Sequence, residues 1–204
     1  MPTQTEMVDT IRRYGVRNRL VLKAITEVDR TNFVLNEYKA NAYVDEPLPI
    51  GFGQTASQPY TIARMLELGI EGWPVSKLKQ YKALEIGTGS GWQTALLAKI
   101  FNCVYSVEKI AQLAKAAQAT VKKLNFTNIH IKIDDGRLGW PDQAPYQLII
   151  VSAESANIPP ALVEQLAPHG RIVIPIRGEM QRGTKTGDHL LWEAFGQYVF
   201  VPLV

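Results

Sequence analysis

Lys82-Ala83-Leu84-Glu85-Ile86-Gly87-Thr88-Gly89-Ser90-Gly91-Trp92 passes from an apolar run, through three alternating glycines, into a helical pattern that continues to Phe101. Lys82 to Gly87 reads as a short strand and Trp92 to Phe101 as a helix. Glycines between the two let the main chain turn tightly and let a ligand approach it. A dinucleotide-binding turn needs Gly or Ala at position 92 for close helix packing; position 92 is Trp. The turn is therefore of the form E-x-G-x-G-x-G, with the Glu85 carboxylate at the strand end. That charge suits a cationic ligand and repels a pyrophosphate.

Downstream the alternation continues. Val104 to Val107 is a second strand, Lys109 to Leu124 an Ala-rich helix, Ile129 to Ile133 a third strand, and Leu148 to Ser152 a continuous apolar fourth strand of the doubly buried kind. Pro159-Pro160-Ala161-Leu162 opens another helix, and Arg171 to Ile176 is a fifth strand. This rhythm predicts an α/β fold with a doubly wound, mostly parallel sheet. Leu190 to Phe195 and Tyr198 to Leu203, separated only by Gly196-Gln197, predict a C-terminal antiparallel hairpin that brings the sheet to seven strands.

Upstream, the first 80 residues read as a helical cap with a substrate loop, and residues 81–204 as the sheet and hairpin of the same domain. Thr3 and Glu6 have capping-box spacing ahead of Met7, Ile11 and Tyr14. A second helix follows Asn18 and breaks near Asp29. Asp45 to Pro59 is too rich in Pro and Gly for a regular element, and a third helix runs from Pro59 to Leu68 with Gly69 after its end.

The 204 residues carry a formal charge of +3 and no basic run, so a nucleic-acid partner is not expected. Lys122-Lys123 ends a helical pattern, where cations suit the helix dipole. The lone Cys103 precludes an internal disulfide, reads as a small core residue, and is consistent with a cytoplasmic protein. Neither a signal peptide nor a membrane span is expected. His130, His169 and His189 are scattered without metal-ligand spacing or a serine partner, so no metal is expected.

Three acids follow three successive strands: Glu85, Glu108 and the Asp134-Asp135-Gly136 run. Parallel strands bring such positions to one sheet edge, where ligands bind. Glu108 lies about 20 residues on, the offset at which an acid reaches a ribose hydroxyl pair. The Gly-rich turn resembles the first motif of class I methyltransferases, whose donor, S-adenosylmethionine, carries an ammonium and a sulfonium.

The chain further resembles the protein-L-isoaspartate O-methyltransferase family. The resemblance rests on Leu48-Pro49-Ile50-Gly51 with Gly53-Gln54-Thr55-Ala56-Ser57-Gln58-Pro59, on Leu84 to Gly91, and on Tyr105-Ser106-Val107-Glu108. Asp135-Gly136, Gly139-Trp140-Pro141, Ala144-Pro145-Tyr146 and Phe200-Val201-Pro202-Leu203 extend it. The Gly-Gln-Thr-x-Ser segment and the terminal Val-Pro-Leu are its most specific parts. It implies methyl transfer to the free carboxylate of L-isoaspartyl residues in damaged proteins or peptides, with repair through a succinimide and S-adenosylhomocysteine as by-product. It also implies a monomer, with Ser57 in the active site. Gln54, Thr55, Glu85, Gly87, Thr88, Gly89, Ser90, Gly91, Glu108, Lys109, Asp135 and Gly136 would hold the cofactor, and Thr55, Ser57, Ser152 and Val201 the substrate. Ser57 could alternatively cap the helix near Pro59.

The family usually reads Val-Thr-Ala-Ala after the fourth strand, where this chain has Val151-Ser152-Ala153-Glu154. The Glu154 side chain is expected to face solvent; the alternative is a shifted choice of acceptor. Other readings are a methyltransferase for another carboxylate or a small molecule, a non-catalytic cofactor-binding regulator, and a nicotinamide-dependent oxidoreductase, which Trp92 disfavours.

Overall fold

A computed structural model of the chain describes residues 1–203. The first helices are α1 (Gln4–Arg13) and α2 (Arg19–Glu27), and their starts follow from local chemistry. Thr3 and Glu6 form the reciprocal capping box, and the Asn18 side chain accepts from the amides of Leu20 and Val21. Met7, Ile11 and Ile25 are buried on their inner faces.

Asp45 to Pro59, expected to be irregular, instead contains a small antiparallel ribbon of β1 (Leu48–Gly51) and β2 (Gln54–Ala56). Its two-residue turn holds Phe52 and Gly53 at φ 55° and 70°, the left-handed geometry that suits a tight hairpin. Pro49 is tolerated because a two-stranded ribbon leaves an outward edge that needs no amide. Helix α3 (Pro59–Ile70) runs through Gly69, which was expected to end it. The reason is tertiary: a Cβ at Gly69 would lie 2.8 Å from Leu148 Cδ1, so glycine marks a close helix–sheet approach. The short helix α4 (Val75–Leu78) leads into the sheet.

That sheet comprises β3 (Lys82–Ile86), β4 (Cys103–Glu108), β5 (Ile129–Ile133), β6 (Tyr146–Val151), β7 (Leu166–Ile176), β8 (Glu179–Thr186) and β9 (His189–Gln197). Helices α5 (Trp92–Ile100), α6 (Ala111–Lys123) and α7 (Pro160–Glu164) connect its parallel part. The spatial order is β5-β4-β3-β6-β7-β8-β9, with β8 antiparallel to both of its neighbours, β7 and β9. Order reverses between β3 and β6, so a crevice opens beyond their carboxyl ends, where the glycine turn lies. Lys122 and Lys123 occupy the last turn of α6, as expected. Cys103 is half-buried at the start of β4 rather than sealed in the core.

The seven-stranded, mostly parallel sheet and helical cap agree with the sequence reading, but the position of the hairpin does not. Its two-residue link is Gly187-Asp188, between β8 and β9. The polar run Glu179 to Thr186 gives little strand signal, yet Met180 is fully buried. Arg182 there pairs with Glu71 at 2.7 Å and Glu193 at 2.8 Å and donates to the Leu68 carbonyl. Tyr198 to Leu203 does not form a sheet strand. It crosses the strand ends, with the Glu154 amide donating to the Val201 carbonyl at 2.8 Å and the Leu203 amide to the Glu154 carbonyl at 2.7 Å. Among the described residues no helix is long and apolar enough to cross a membrane.

Gly69→Ala should destabilise the fold by about 1–3 kcal/mol through overpacking against Leu148. Chemical denaturation reads the sign, since an uncrowded helical glycine gains stability on the same change.

Candidate active site

The three glycines of the turn all take left-handed backbone, with φ of 88° at Gly87, 52° at Gly89 and 88° at Gly91. A side chain would be strained at each. Gly91 also takes over the close helix packing that position 92 performs in dinucleotide turns: a Cβ there would lie 3.1 Å from that of Ala117 on α6. Trp92 is thereby released for another role. It is buried, and its indole Nε1 donates to the Val28 carbonyl at the end of α2, 3.1 Å away.

Above this turn the wall of a cleft is formed by Gly87, Thr88, Gly89, Ser90, Glu108, Lys109, Gly136, Gln54, Thr55, Ser57, Ser152 and Val201. These are twelve of the fifteen expected site residues, gathered at the sheet edge where ligands bind in such folds. The sequence reading missed the apolar walls, Ile50, Ile110, Leu113 and Leu203. Isolated aliphatic residues carry no motif, and Leu203 arrives only because the tail folds back. Glu108 accepts from the Gly89 amide at 2.8 Å through one oxygen and from the Ile110 amide at 2.9 Å through the other. Each oxygen keeps a lone pair for a hydroxyl pair on a ligand. At Gly136 a Cβ would come within 2.4 Å of Ile86 Cγ2, so backbone lines the floor where a side chain would intrude. An apolar slot for a flat ring, with a carboxylate at its side, fits S-adenosylmethionine.

The other three expected cofactor ligands lie off this wall. Gly91 is the N-cap of α5. The Asp135 carboxylate turns to the Arg137 guanidinium, 2.5 Å away, which holds its pKa down at about 2. Glu85 is fully buried beneath the turn, where its carboxylate accepts from Thr94 Oγ1 at 2.5 Å and Ser106 Oγ at 2.7 Å. Ser106 Oγ in turn meets Thr88 Oγ1 at 2.5 Å, so Glu85 braces the turn from below and does not line the cleft. Burial raises its pKa to about 7, and its other oxygen has no hydrogen-bond partner.

Ser57 follows the ribbon and does not cap α3; that N-cap is Gln58, which makes no side-chain cap bond. Its position is held from behind by Arg30, 1% exposed. This guanidinium donates to the carbonyls of Ala42 at 3.1 Å, Val44 at 3.2 Å, Glu46 at 3.3 Å and Ser57 at 3.0 Å, while lying 5.1 Å from the Trp92 ring. Burial lowers its pKa to about 10, with the Asp45 charge opposing, so it stays cationic at neutral pH.

A second, larger groove adjoins the cleft. Thr55, Ser57, Ser152 and Val201, the four expected substrate residues, line both cavities, and Glu154 lines the groove only. The Glu154 side chain is thus half-buried on a groove wall, not turned to bulk solvent as expected. Gln93 Nε2 donates to Ser152 Oγ at 2.8 Å, which leaves the serine O–H free to donate elsewhere. None of the three histidines lines either cavity; His130 stacks on Tyr105, with ring centroids 5.1 Å apart.

Two changes test these supports. Arg30→Ala should cost about 3–5 kcal/mol, leaving four carbonyls without their donor, and should lower the thermal midpoint by on the order of 10 °C. For Glu85, the folded pKa lies above the unfolded 4.5, so its contribution to stability is complete below that value and is lost as pH rises through about 7. Glu85→Gln should therefore flatten the fall in stability between pH 5 and 8, by on the order of 2–3 kcal/mol in paired denaturation series.

Comparison with known proteins accords with this geometry. Residues 2–204 match the family described as protein-L-isoaspartate(D-aspartate) O-methyltransferase. A protein-L-isoaspartate O-methyltransferase of Hahella chejuensis is 41% identical over 206 residues, covering 99% of this chain and 95% of its own. One from Anaeromyxobacter dehalogenans is 48% identical over 174 residues, covering 84% and 80%. In fold, the chain matches a Plasmodium falciparum protein described as a β-aspartate methyltransferase, solved in complex with S-adenosyl-L-homocysteine. The TM-score is 0.88 at 22% identity, covering 100% of this chain and 99% of that one. The chain belongs to the protein-L-isoaspartate(D-aspartate) O-methyltransferase family.

Proposed function

We propose that this enzyme transfers the methyl group of S-adenosylmethionine to the free carboxylate of L-isoaspartyl residues, with Ser57 orienting the acceptor. The observation that carries the assignment is the shared wall: Thr55, Ser57, Ser152 and Val201 border both the small-molecule cleft and the larger groove. A donor in one and a peptide in the other meet at those four residues. Bound in the cleft, S-adenosylmethionine supplies an electrophilic methyl group on a sulfonium. Thr88, Ser90, Glu108 and Lys109 are the polar groups that would hold it, against Ile110 and Leu113.

An acceptor carboxylate is ionised at neutral pH, since its ordinary pKa is about 4. No general base is needed, which accords with the absence of histidine from the described lining of either cavity. The work left to the protein is alignment and exclusion of water. The Ser57 hydroxyl has no partner among the described residues and can donate to one carboxylate oxygen; the Ser152 hydroxyl, fixed by Gln93, can donate to the other. Hydrogen bonds of this kind steer the nucleophile without removing its charge. The main chain around Val201, itself tied to Glu154, offers a partner for substrate backbone. Spontaneous closure of the ester to a succinimide then leads to repair. A lone cysteine supports a cytoplasmic setting.

A radiolabelled methyl-transfer assay should label an isoaspartyl peptide and spare its aspartyl twin; equal labelling sinks the acceptor assignment. Ser57→Ala should lower kcat/KM by roughly 10–100-fold, with no methyl or acyl adduct on Ser57 of the wild-type enzyme by mass spectrometry.

A further inference from the structure

The groove beside the cleft has an unusual combination of linings. Tyr14, Tyr60, Phe195, Tyr198 and Phe200 supply aromatic faces and edges, and Glu154 is the one charged residue among its described lining residues. Tyr14 and Tyr60 pack edge to face, 5.4 Å between centroids, so the wall is ordered and not a set of loose rings. The Glu154 main chain is bonded on both sides, to Val201 and Leu203, which fixes where its side chain starts. Its carboxylate has no ion-pair or hydrogen-bond partner among the described residues. The nearby Asp45, by contrast, is taken up by Gln58 Nε2 and the Tyr60 amide, both at 2.8 Å. An unpaired carboxylate next to an anionic acceptor opposes binding unless the substrate brings a cation to it. Aromatic rings that share a groove with a carboxylate can also receive a lysine or arginine side chain, through cation–π attraction as well as charge.

We propose that Glu154 is a specificity-determining residue that selects isoaspartyl segments carrying a basic residue beside the damaged position. This deepens the function proposed above and rests on it. The test uses two isoaspartyl peptides that differ only in the neighbouring residue, lysine in one and glutamate in the other, with wild-type enzyme and Glu154→Gln. In wild type the lysine peptide should show a KM about three- to tenfold lower, with kcat alike, and the gap should shrink in 0.5 M salt. Glu154→Gln should bring the two KM values together, mainly by improving the glutamate peptide. A role confined to structure would change both peptides equally in the variant and overturn the inference. So would equal KM values in wild type, or a gap that survives in Glu154→Gln. Methylation of neither peptide instead overturns the acceptor assignment, and the inference falls with it.

Discussion

The active site depends on the solvation of one buried cation. Among the described residues the Arg30 guanidinium has no carboxylate in hydrogen-bonding contact, so four main-chain carbonyls between Ala42 and Ser57 stand in for water. Burying a charge is tolerable only with such compensation. The segment that supplies the carbonyls must therefore wrap around the guanidinium, and Ser57 is the last residue of that wrap. Trp92 closes the other side, with its ring near Arg30 and its indole bonded to the end of α2. The helical cap, the substrate loop and the glycine turn are thereby fastened at one point.

From that junction the chemistry follows with few moving parts. The sheet brings Glu108 and the glycine turn to one edge, and the cap brings Ser57 over it. The C-terminal tail returns Val201 and Leu203 from the far side of the sheet. A reaction with an already ionised nucleophile asks only that these surfaces be held in register and kept dry. Rigidity explains why so many of the polar groups near the reacting position are tied to backbone or to one another. Gln93 pins Ser152, Glu108 pins two amides, and Glu85 pins the turn through Ser106 and Thr94.

Glu85 shows how a motif can be legible while the direction of its side chain is not. The E-x-G-x-G-x-G spacing signals the turn, yet the carboxylate is buried beneath it and does not line the cleft. Side chains alternate along a strand, so a residue two before the first glycine can point into the sheet–helix interface as readily as toward the crevice. Asp135 is similar: its place after β5 was legible, but the competition of Arg137 for its oxygens was not.

Local chemistry alone was enough to specify the parallel core, the caps at Thr3 and Asn18 and the glycine turn. Each of these is written in a short window as a period, a cap or a fixed spacing. Contacts between distant segments decided the rest. Gly69 stays helical because Leu148 fills the space of its missing side chain, and polar β8 joins the sheet because Arg182 finds Glu71 and Glu193. The tail, read as a strand, crosses the strand ends because its amides and carbonyls pair with Glu154. Gly69 and Leu148, Arg182 and Glu71, and Glu154 and the tail are each far apart in sequence, and only the folded chain brings them within reach.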